Sequence, residues 1–196
     1  MPRGRKRAFD DQAALHTAME LFWRQGYEGT SIADLTQALG INPPSLYAAF
    51  GSKQELFEKA LDRYICERTA RVDEAMAQPS ARQAVLDLLT GRVEAFTVPG
   101  LPAGCMTVQA GMASGEPHHE IVDLLAAARE EMRRTMLERF DKAVAGGDLP
   151  AGTDCAALAR YVMAALYGLS VEAASGAPRE ELQAAAILAA QVVPAA

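Results

Sequence analysis

The sequence predicts an all-α protein, with an N-terminal three-helix domain containing a helix-turn-helix and a C-terminal helical bundle. Apolar residues recur at intervals of three and four along most of the chain, and no strand-like alternation persists anywhere. Two short helical patterns separated by a tight turn lie between Thr30 and Leu56, followed by a long helical pattern. Compact pairs of short helices of this kind are typical of helix-turn-helix motifs.

The two short helices carry their own start and stop signals. The first has a hydroxyl cap at Thr30 or Ser31 and ends at Gly40, a residue that adopts positive φ readily. The second begins at Asn42, a good N-cap, with Pro43 at the first helical position. Its apolar anchors, Leu46 and Phe50, leave Pro44, Ser45, Ala48 and Ala49 facing outward.

Longer helices flank this pair. Before it, apolar residues from Leu15 to Trp23 repeat at helical spacing, and Gly26 is expected to end that helix. After it, Ser52 and Glu55 form an S-x-x-E capping box that opens the next helix. We expect residues 1–52 to form the first domain and residues 53–196 the second.

The second domain is predicted to contain five further helical segments. A helix through Val85 to Phe96 precedes a Pro- and Gly-rich loop, residues 97–104. The later segments are a short helix at 105–113, a long helix after Pro117 that stops at Gly146, and helices at about 154–175 and 178–193.

Charge is spread unevenly along the chain. Residues 1–65 carry eight basic and eight acidic side chains, whereas residues 66–196 carry the other 11 basic and 17 acidic ones, so the net charge of −6 lies there. Four of the bases form an N-terminal arm, residues 1–8: Arg3, Arg5, Lys6 and Arg7. Such an arm is either a solubilising tail or a contact for phosphates and the minor groove of DNA.

The sequence predicts a cytoplasmic protein. No apolar run reaches membrane-spanning length, and the N-terminus lacks the apolar segment of a signal peptide. The sequence has three cysteines, Cys66, Cys105 and Cys155. Their odd number and the lack of a spacing typical of metal ligands favour reduced thiols over a disulfide framework.

The first third of the chain resembles the TetR family of bacterial transcriptional regulators. The resemblance lies in a pattern of glycine, hydroxyl, aromatic and lysine positions: Gly26-Tyr27, Thr30-Ser31-Ile32, Gly40-Ile41, Leu46-Tyr47, Phe50, Lys53 and Leu56-Phe57. It implies a regulator of transcription, most simply a repressor, with a C-terminal bundle for ligand sensing and dimerisation. The implied partners are a near-palindromic double-stranded DNA operator, a small-molecule effector and a second copy of the chain, with no cofactor and no membrane.

The resemblance also implies three groups of site residues. The helix from Asn42 to Phe50 is expected to enter the major groove, with phosphate contacts on either side of it. The expected DNA contacts are Thr30, Ser31, Pro43, Pro44, Ser45, Tyr47, Ala48 and Lys53, together with the arm. The expected effector pocket comprises Phe96, Cys105, Met106, Gln109, Met112, Met132, Met136, Phe140, Tyr161 and Tyr167. The small side chains of the last two helices suit close helix packing, so the expected dimer interface comprises Ala164, Gly168, Leu169, Ala185, Leu188 and Ala189.

Two alternatives remain open at this point. Cys105 follows Gly104 at a predicted helix start, where a thiolate is favoured, so the regulator could instead sense electrophiles or oxidants. Glu116 and His119 have the E-x-x-H spacing of a helical di-iron site, which makes an α-helical metalloenzyme a weaker alternative because no second such motif exists. No nucleophile elbow and no phosphate-binding glycine loop are present, so we expect no enzyme activity and no metal.

Overall fold

The computed structural model describes residues 10–111 and 118–194, which form helices joined by loops and contain no strand. The predicted all-α fold class is confirmed. The helices are α1 Asp11–Gly29, α2 Ile32–Leu39, α3 Pro43–Phe50, α4 Lys53–Met76, α5 Ala81–Phe96, α6 Met106–Gln109, α7 His119–Ala145, α8 Cys155–Ala174 and α9 Arg179–Ala190.

Local capping fixes the two short helices. Ser31 and Asp34 form a reciprocal capping box at the start of α2, and Gly40 ends α2 with φ of 65°. The Asn42 side chain accepts a hydrogen bond from the Ser45 N–H at 2.9 Å. Both residues of the Pro43-Pro44 pair are helical, because their missing N–H groups fall where a helix has no acceptor for them.

Gly26 breaks α1 rather than ending it. Its φ of 74° is a left-handed value that favours glycine, and one more helical turn to Gly29 follows the kink. Thr30 then closes this turn, since its hydroxyl donates to the Gly26 carbonyl at 2.6 Å.

The buried side chains form two clusters. The first, called here the head core, contains α1, α2, α3 and the first half of α4 from Leu56 to Tyr64, together with Met106, Ala110, Ile121 and Leu125. The second, the bundle core, contains α5, α8, α9, the end of α4 and the later part of α7. The head core therefore continues past residue 52, and α4 belongs to both clusters. This shared helix positions the site residues described next.

Candidate nucleic-acid interface and effector pocket

The α3 helix presents an exposed surface beside a buried one. Leu46 and Phe50 lie in the head core, and they hold the helix with Pro43, Pro44, Tyr47 and Ala48 exposed to solvent. The Tyr47 side chain is 49% exposed. Ser45 is half-buried. The exposed surface is thus mostly apolar, with one phenol hydroxyl available for hydrogen bonding.

Thr30 does not reach the surface, so a phosphate contact through its hydroxyl was a wrong prediction. Its side chain is fully buried and its only hydroxyl proton goes to the Gly26 carbonyl. Ser31, by contrast, is exposed, although its hydroxyl donates to the Asp34 carboxylate at 2.6 Å. The hydroxyl pair that precedes α2 is therefore occupied with closing one helix and capping the next.

Lys53 lies at the first position of α4, next to the end of α3. Its ammonium group is 4.1 Å from the centroid of the Tyr27 ring, a cation–π contact. Partial burial lowers the pKa of Lys53, while the nearby carboxylates of Glu28 and Asp34 oppose that shift. The ammonium is accordingly held in place by packing. A second lysine, Lys59, donates to the Phe50 carbonyl at 2.9 Å and so caps the C-terminus of α3, a role that the sequence pattern did not indicate.

The basic arm predicted to contact DNA, Arg3, Arg5, Lys6 and Arg7, lies outside the described residues.

A cavity of about 290 Å³ lies between α4, α5, α7 and α8. Four residues predicted for an effector pocket line it: Phe96, Cys105, Met132 and Tyr167. Its other apolar lining includes Val72, Met163 and Leu166. The volume is at the lower end of the roughly 300–1,000 Å³ found for small-molecule pockets, which suits a compact ligand.

One end of the cavity is a cluster of hydroxyl and thiol groups around Cys105. The Tyr64 hydroxyl donates to the Cys105 sulfur at 3.4 Å, and the Thr107 hydroxyl lies 3.1 Å from the same sulfur. Burial raises the pKa of Tyr64 and raises the pKa of Tyr167 to about 12, so both phenols stay protonated and serve as donors. The Ser170 hydroxyl accepts the Cys105 N–H at 2.7 Å and holds this corner against α8.

Five of the predicted pocket residues do not line this cavity, which corrects the prediction. Met106 is fully buried in the head core, and Met136 and Phe140 are fully buried in the bundle core. Gln109 donates to the Ser170 carbonyl, and Tyr161 is 45% exposed on the outer side of α8. Met112 lies outside the described residues. The helical period that selected these residues cannot distinguish a side chain facing a cavity from one packed in a core.

The cavity also has charged lining residues that sequence reasoning missed: Arg68, Arg92, Arg129, Asp73 and Glu131. Arg68 follows Tyr64 by one helical turn on α4. In the sequence, the only sign of a cavity residue here is an arginine one helical turn after the core residue Tyr64. This sign points to a cavity only when α7 is known to pack opposite this part of α4.

The outer faces of α8 and α9 expose small and apolar side chains. Of the predicted dimer residues, Ala164, Gly168 and Ala185 are exposed, Ala189 is half-buried, and Leu188 is 67% exposed. Tyr161, Ile187 and Val192 are exposed large hydrophobic residues on the same two helices or just after them. Leu169 was a wrong choice, because its side chain packs in the bundle core of its own chain.

The thiols and histidines are placed as follows. Cys66 is exposed, Cys105 is half-buried and Cys155 is buried, and none of the three is in a disulfide. His118 Nδ1 lies 2.7 Å from the Glu28 carboxylate, so it joins the start of α7 to the end of α1.

Glu116, the proposed partner of His119 in a metal site, is outside the described residues; residues 10–111 and 118–194 contain no group of three metal-ligating side chains. Within the same ranges no helix is long and apolar enough to cross a membrane.

A helix-turn-helix head joined through one long helix to a bundle with an internal cavity defines a class of protein: a DNA-binding regulator with its own sensing domain. Residues 14–60 match the model of the bacterial regulatory proteins of the tetR family, and residues 81–187 match a tetracyclin repressor-like C-terminal domain. The chain belongs to the TetR family, and it is a transcriptional regulator, as the sequence predicted. The family's members bind operator DNA and form dimers with effector ligands, which agrees with the expected partners.

Curated relatives cover nearly the whole chain. The HTH-type transcriptional repressor ComR of Escherichia coli strain K12 is 36% identical over 183 residues, which are 92% of this chain and 87% of ComR. The repressor BdcR of the same organism is 30% identical over 193 residues, 97% of this chain and 92% of BdcR.

Solved structures agree with the fold. A cysteine mutant of the TetR family regulator CifR, complexed with 26bp double-strand operator DNA, is 46% identical with a TM-score of 0.92, covering 97% of this chain and 100% of that one. A putative TetR regulator from Rhodococcus sp. RHA1 is 79% identical and covers 94% and 100% of the two chains, with a TM-score of 0.66.

Proposed function

We propose that this chain is a homodimeric repressor that recognises a near-palindromic operator through the exposed surface of α3. The observation that carries the proposal is the division of α3 into buried anchors, Leu46 and Phe50, and an exposed surface that is free to enter the major groove. In this proposal Pro44 and Ala48 approach base edges and thymine methyl groups, while Tyr47 donates to a phosphate. Pro43 belongs to the same surface, and Ser45, Ser31 and Lys53 flank it.

The proposed dimer forms through the outer faces of α8 and α9. Small side chains such as Ala164 and Gly168 let helix axes approach closely, and Leu188 supplies exposed apolar area. A two-fold axis there would place the two α3 helices about one DNA turn apart, roughly 34–36 Å, on inverted half-sites.

The proposed signal is a small molecule in the cavity between α4, α5, α7 and α8. A ligand that binds the conformation unable to bind DNA more tightly than the DNA-binding one shifts the population and releases the operator. We propose no enzymatic reaction for the chain, because the relatives are regulators of transcription. Since a bacterial operator lies in the cytoplasm, we also propose that location.

Selection of binding sites from random double-stranded DNA tests the reading surface. We expect inverted half-sites whose centres lie about 10 bp apart. Ala48→Asp should weaken binding to the selected site at least about tenfold, or ~1.4 kcal/mol, because it places a carboxylate against DNA. Ala70→Asp is the matched control, since Ala70 is also an exposed helical alanine but lies far along α4. Equal binding by the two variants would show that α3 does not enter the groove.

A second candidate is a repressor switched by covalent modification of Cys105. It is favoured by one observation: the sulfur lines the cavity and lies within reach of the Tyr64 and Thr107 hydroxyls. Cys66 is more exposed, so accessibility alone makes Cys66 the faster thiol.

Mass spectrometry after limited treatment with N-ethylmaleimide separates the two functions. Faster addition at Cys105 than at Cys66, with loss of operator binding that Cys105→Ser prevents, would establish the covalent switch. Faster addition at Cys66, or an unchanged response in Cys105→Ser, would leave reversible ligand binding as the function.

A further inference from the structure

The cavity holds an excess of positive charge. Its charged lining residues are three arginines and two acids: Arg68, Arg92, Arg129, Asp73 and Glu131. Glu131 is already bound, because its carboxylate accepts a hydrogen bond from Arg134 at 2.6 Å on the outer side of α7. Asp73 is exposed to solvent at the rim. The charged lining residues that are half-buried are therefore all arginines.

Arg92 is a cavity-lining arginine without a partner among the residues that the structure describes. It is half-buried on α5, and no other residue in the described ranges forms a hydrogen bond or an ion pair with it. Arg129, by comparison, donates to the Thr107 carbonyl at 2.6 Å. The guanidinium nitrogens of Arg92 are not among the buried atoms that lack a partner, so they remain open to solvent and can form charge-assisted hydrogen bonds with a bound anion.

Arg68 lies at the same edge of the cavity. Arg68 and Arg92 are the two residues that line both this cavity and a neighbouring one of about 630 Å³ between α4 and α5, so both lie where the two adjoin. The Arg68 Nη1 atom donates to the Tyr64 carbonyl at 3.0 Å and lies 3.8 Å from the Glu67 carboxylate, which leaves the Nε and Nη2 donors of its guanidinium for a ligand.

We propose that the effector is a small apolar molecule with one carboxylate, bound by Arg92 and Arg68, with its apolar body in the cavity. This inference rests on the proposed function, in which that cavity holds the effector. The apolar body would contact side chains from four helices: Val72, Phe96, Met132, Met163 and Leu166. The two guanidiniums at one edge match the carboxylate of such an acid. The methionine, aromatic and aliphatic side chains of the rest of the wall match its apolar body.

Arg68 also links the carboxylate site to the DNA-binding head. Its guanidinium carbon lies 3.6 Å from the centroid of the Tyr64 ring and 4.9 Å from that of Trp23 on α1. Trp23 is buried in the head core and is the single tryptophan of the sequence. A carboxylate that draws Arg68 toward Arg92 changes this contact, so the fluorescence of Trp23 reports binding of the acid.

The test compares three acids, hexanoate, benzoate and phenylacetate, with their uncharged primary amides. Affinity is measured by Trp23 fluorescence and by the shift in melting temperature of the full chain. We expect at least one acid to bind about tenfold or more tightly than its amide, because a charge-assisted hydrogen bond is lost in the amide. Arg92→Gln should bring the two affinities to within about twofold, and Arg92→Lys should restore part of the preference.

Arg71→Gln is the matched control. Arg71 lines only the neighbouring cavity and is ion-paired with Glu74 at 3.4 Å and Glu94 at 3.9 Å, so its loss should leave the preference for the acid intact. The proposal is overturned if no acid binds more tightly than its amide up to millimolar concentration, or if Arg71→Gln abolishes the preference as Arg92→Gln does. Operator binding without ligand, measured on the same samples, tests the proposed function separately.

Discussion

Gly168→Leu separates the fold of one chain from the association of two. A Cβ atom built at Gly168 meets no atom within 4 Å, so leucine fits the isolated chain. Replacing a helical glycine should even raise the free energy of unfolding by roughly 0.5–1 kcal/mol. In the proposed dimer the same side chain fills space that the partner helix occupies. Overpacking costs about 1–3 kcal/mol per site, and a two-fold interface contains the substitution twice.

The expected loss in dimerisation is therefore about 2–6 kcal/mol, or a dissociation constant at least roughly 30-fold higher. Sedimentation equilibrium across micromolar concentrations measures it, and specific operator binding should fall in parallel. Gly91→Leu is the matched control, since Gly91 is a helical glycine on α5 whose added Cβ also meets no atom within 4 Å. If Gly168→Leu stays dimeric to the same extent as Gly91→Leu, the dimer interface lies elsewhere.

Three further predictions concern the head. Lys53→Ala should weaken binding to all DNA sequences alike and reduce the slope of log affinity against log salt by about one unit; a changed sequence preference at an unchanged slope contradicts a phosphate contact. Thr30→Val should lower the free energy of unfolding by about 1 kcal/mol in urea denaturation, because its buried hydroxyl bonds the Gly26 carbonyl, while the salt slope stays the same. Burial raises the pKa of Glu28, but hydrogen bonds from His118 outweigh it and hold that pKa below its usual value. The stability from Glu28 is thus present above its usual pKa and lost as the pH falls through the lowered one. Glu28→Gln should therefore make the free energy of unfolding, measured by urea denaturation, fall less steeply with decreasing pH. An unchanged acid side of that curve contradicts a stabilising Glu28–His118 pair.

The head could be predicted from the sequence because its determinants are local. Asn42 with Pro43, Gly40, and the box of Ser52 and Glu55 act within three or four residues, and the structure has each of them in the expected place. The sequence left the cap of α2 open between Thr30 and Ser31, and Thr30 was wrongly expected to contact a phosphate because its burial has no local signal. The kink at Gly26 turns Thr30 inward, and the spacing of apolar residues along a helix does not reveal a kink.

The cavity could be predicted only as a class of site. Met132 lines it and Met136, one turn later on the same stripe of α7, is fully buried in the bundle core, although both satisfy the same spacing. Arg68 and Arg92 were missed for the opposite reason: on a helical wheel they count as the polar face of α4 and of α5. Their half-buried position depends on how these helices and α7 pack, which no local pattern encodes.

The shared helix α4 explains how a ligand in the bundle can act on DNA that it does not touch. Phe57 and Leu61 anchor the start of α4 in the head core, Val72 anchors its end in the bundle core, and Arg68 lies between them at the cavity. A helix of 24 residues is about 36 Å long, so a tilt of about 5° at one end displaces the other by about 3 Å. Two heads in a dimer would then change their separation by up to about 6 Å, against a required spacing of roughly 34–36 Å. Because α4 is packed into both cores, bending it at the junction would open one of them, so the proposed ligand at Arg68 would be coupled to the position of α3 through this helix.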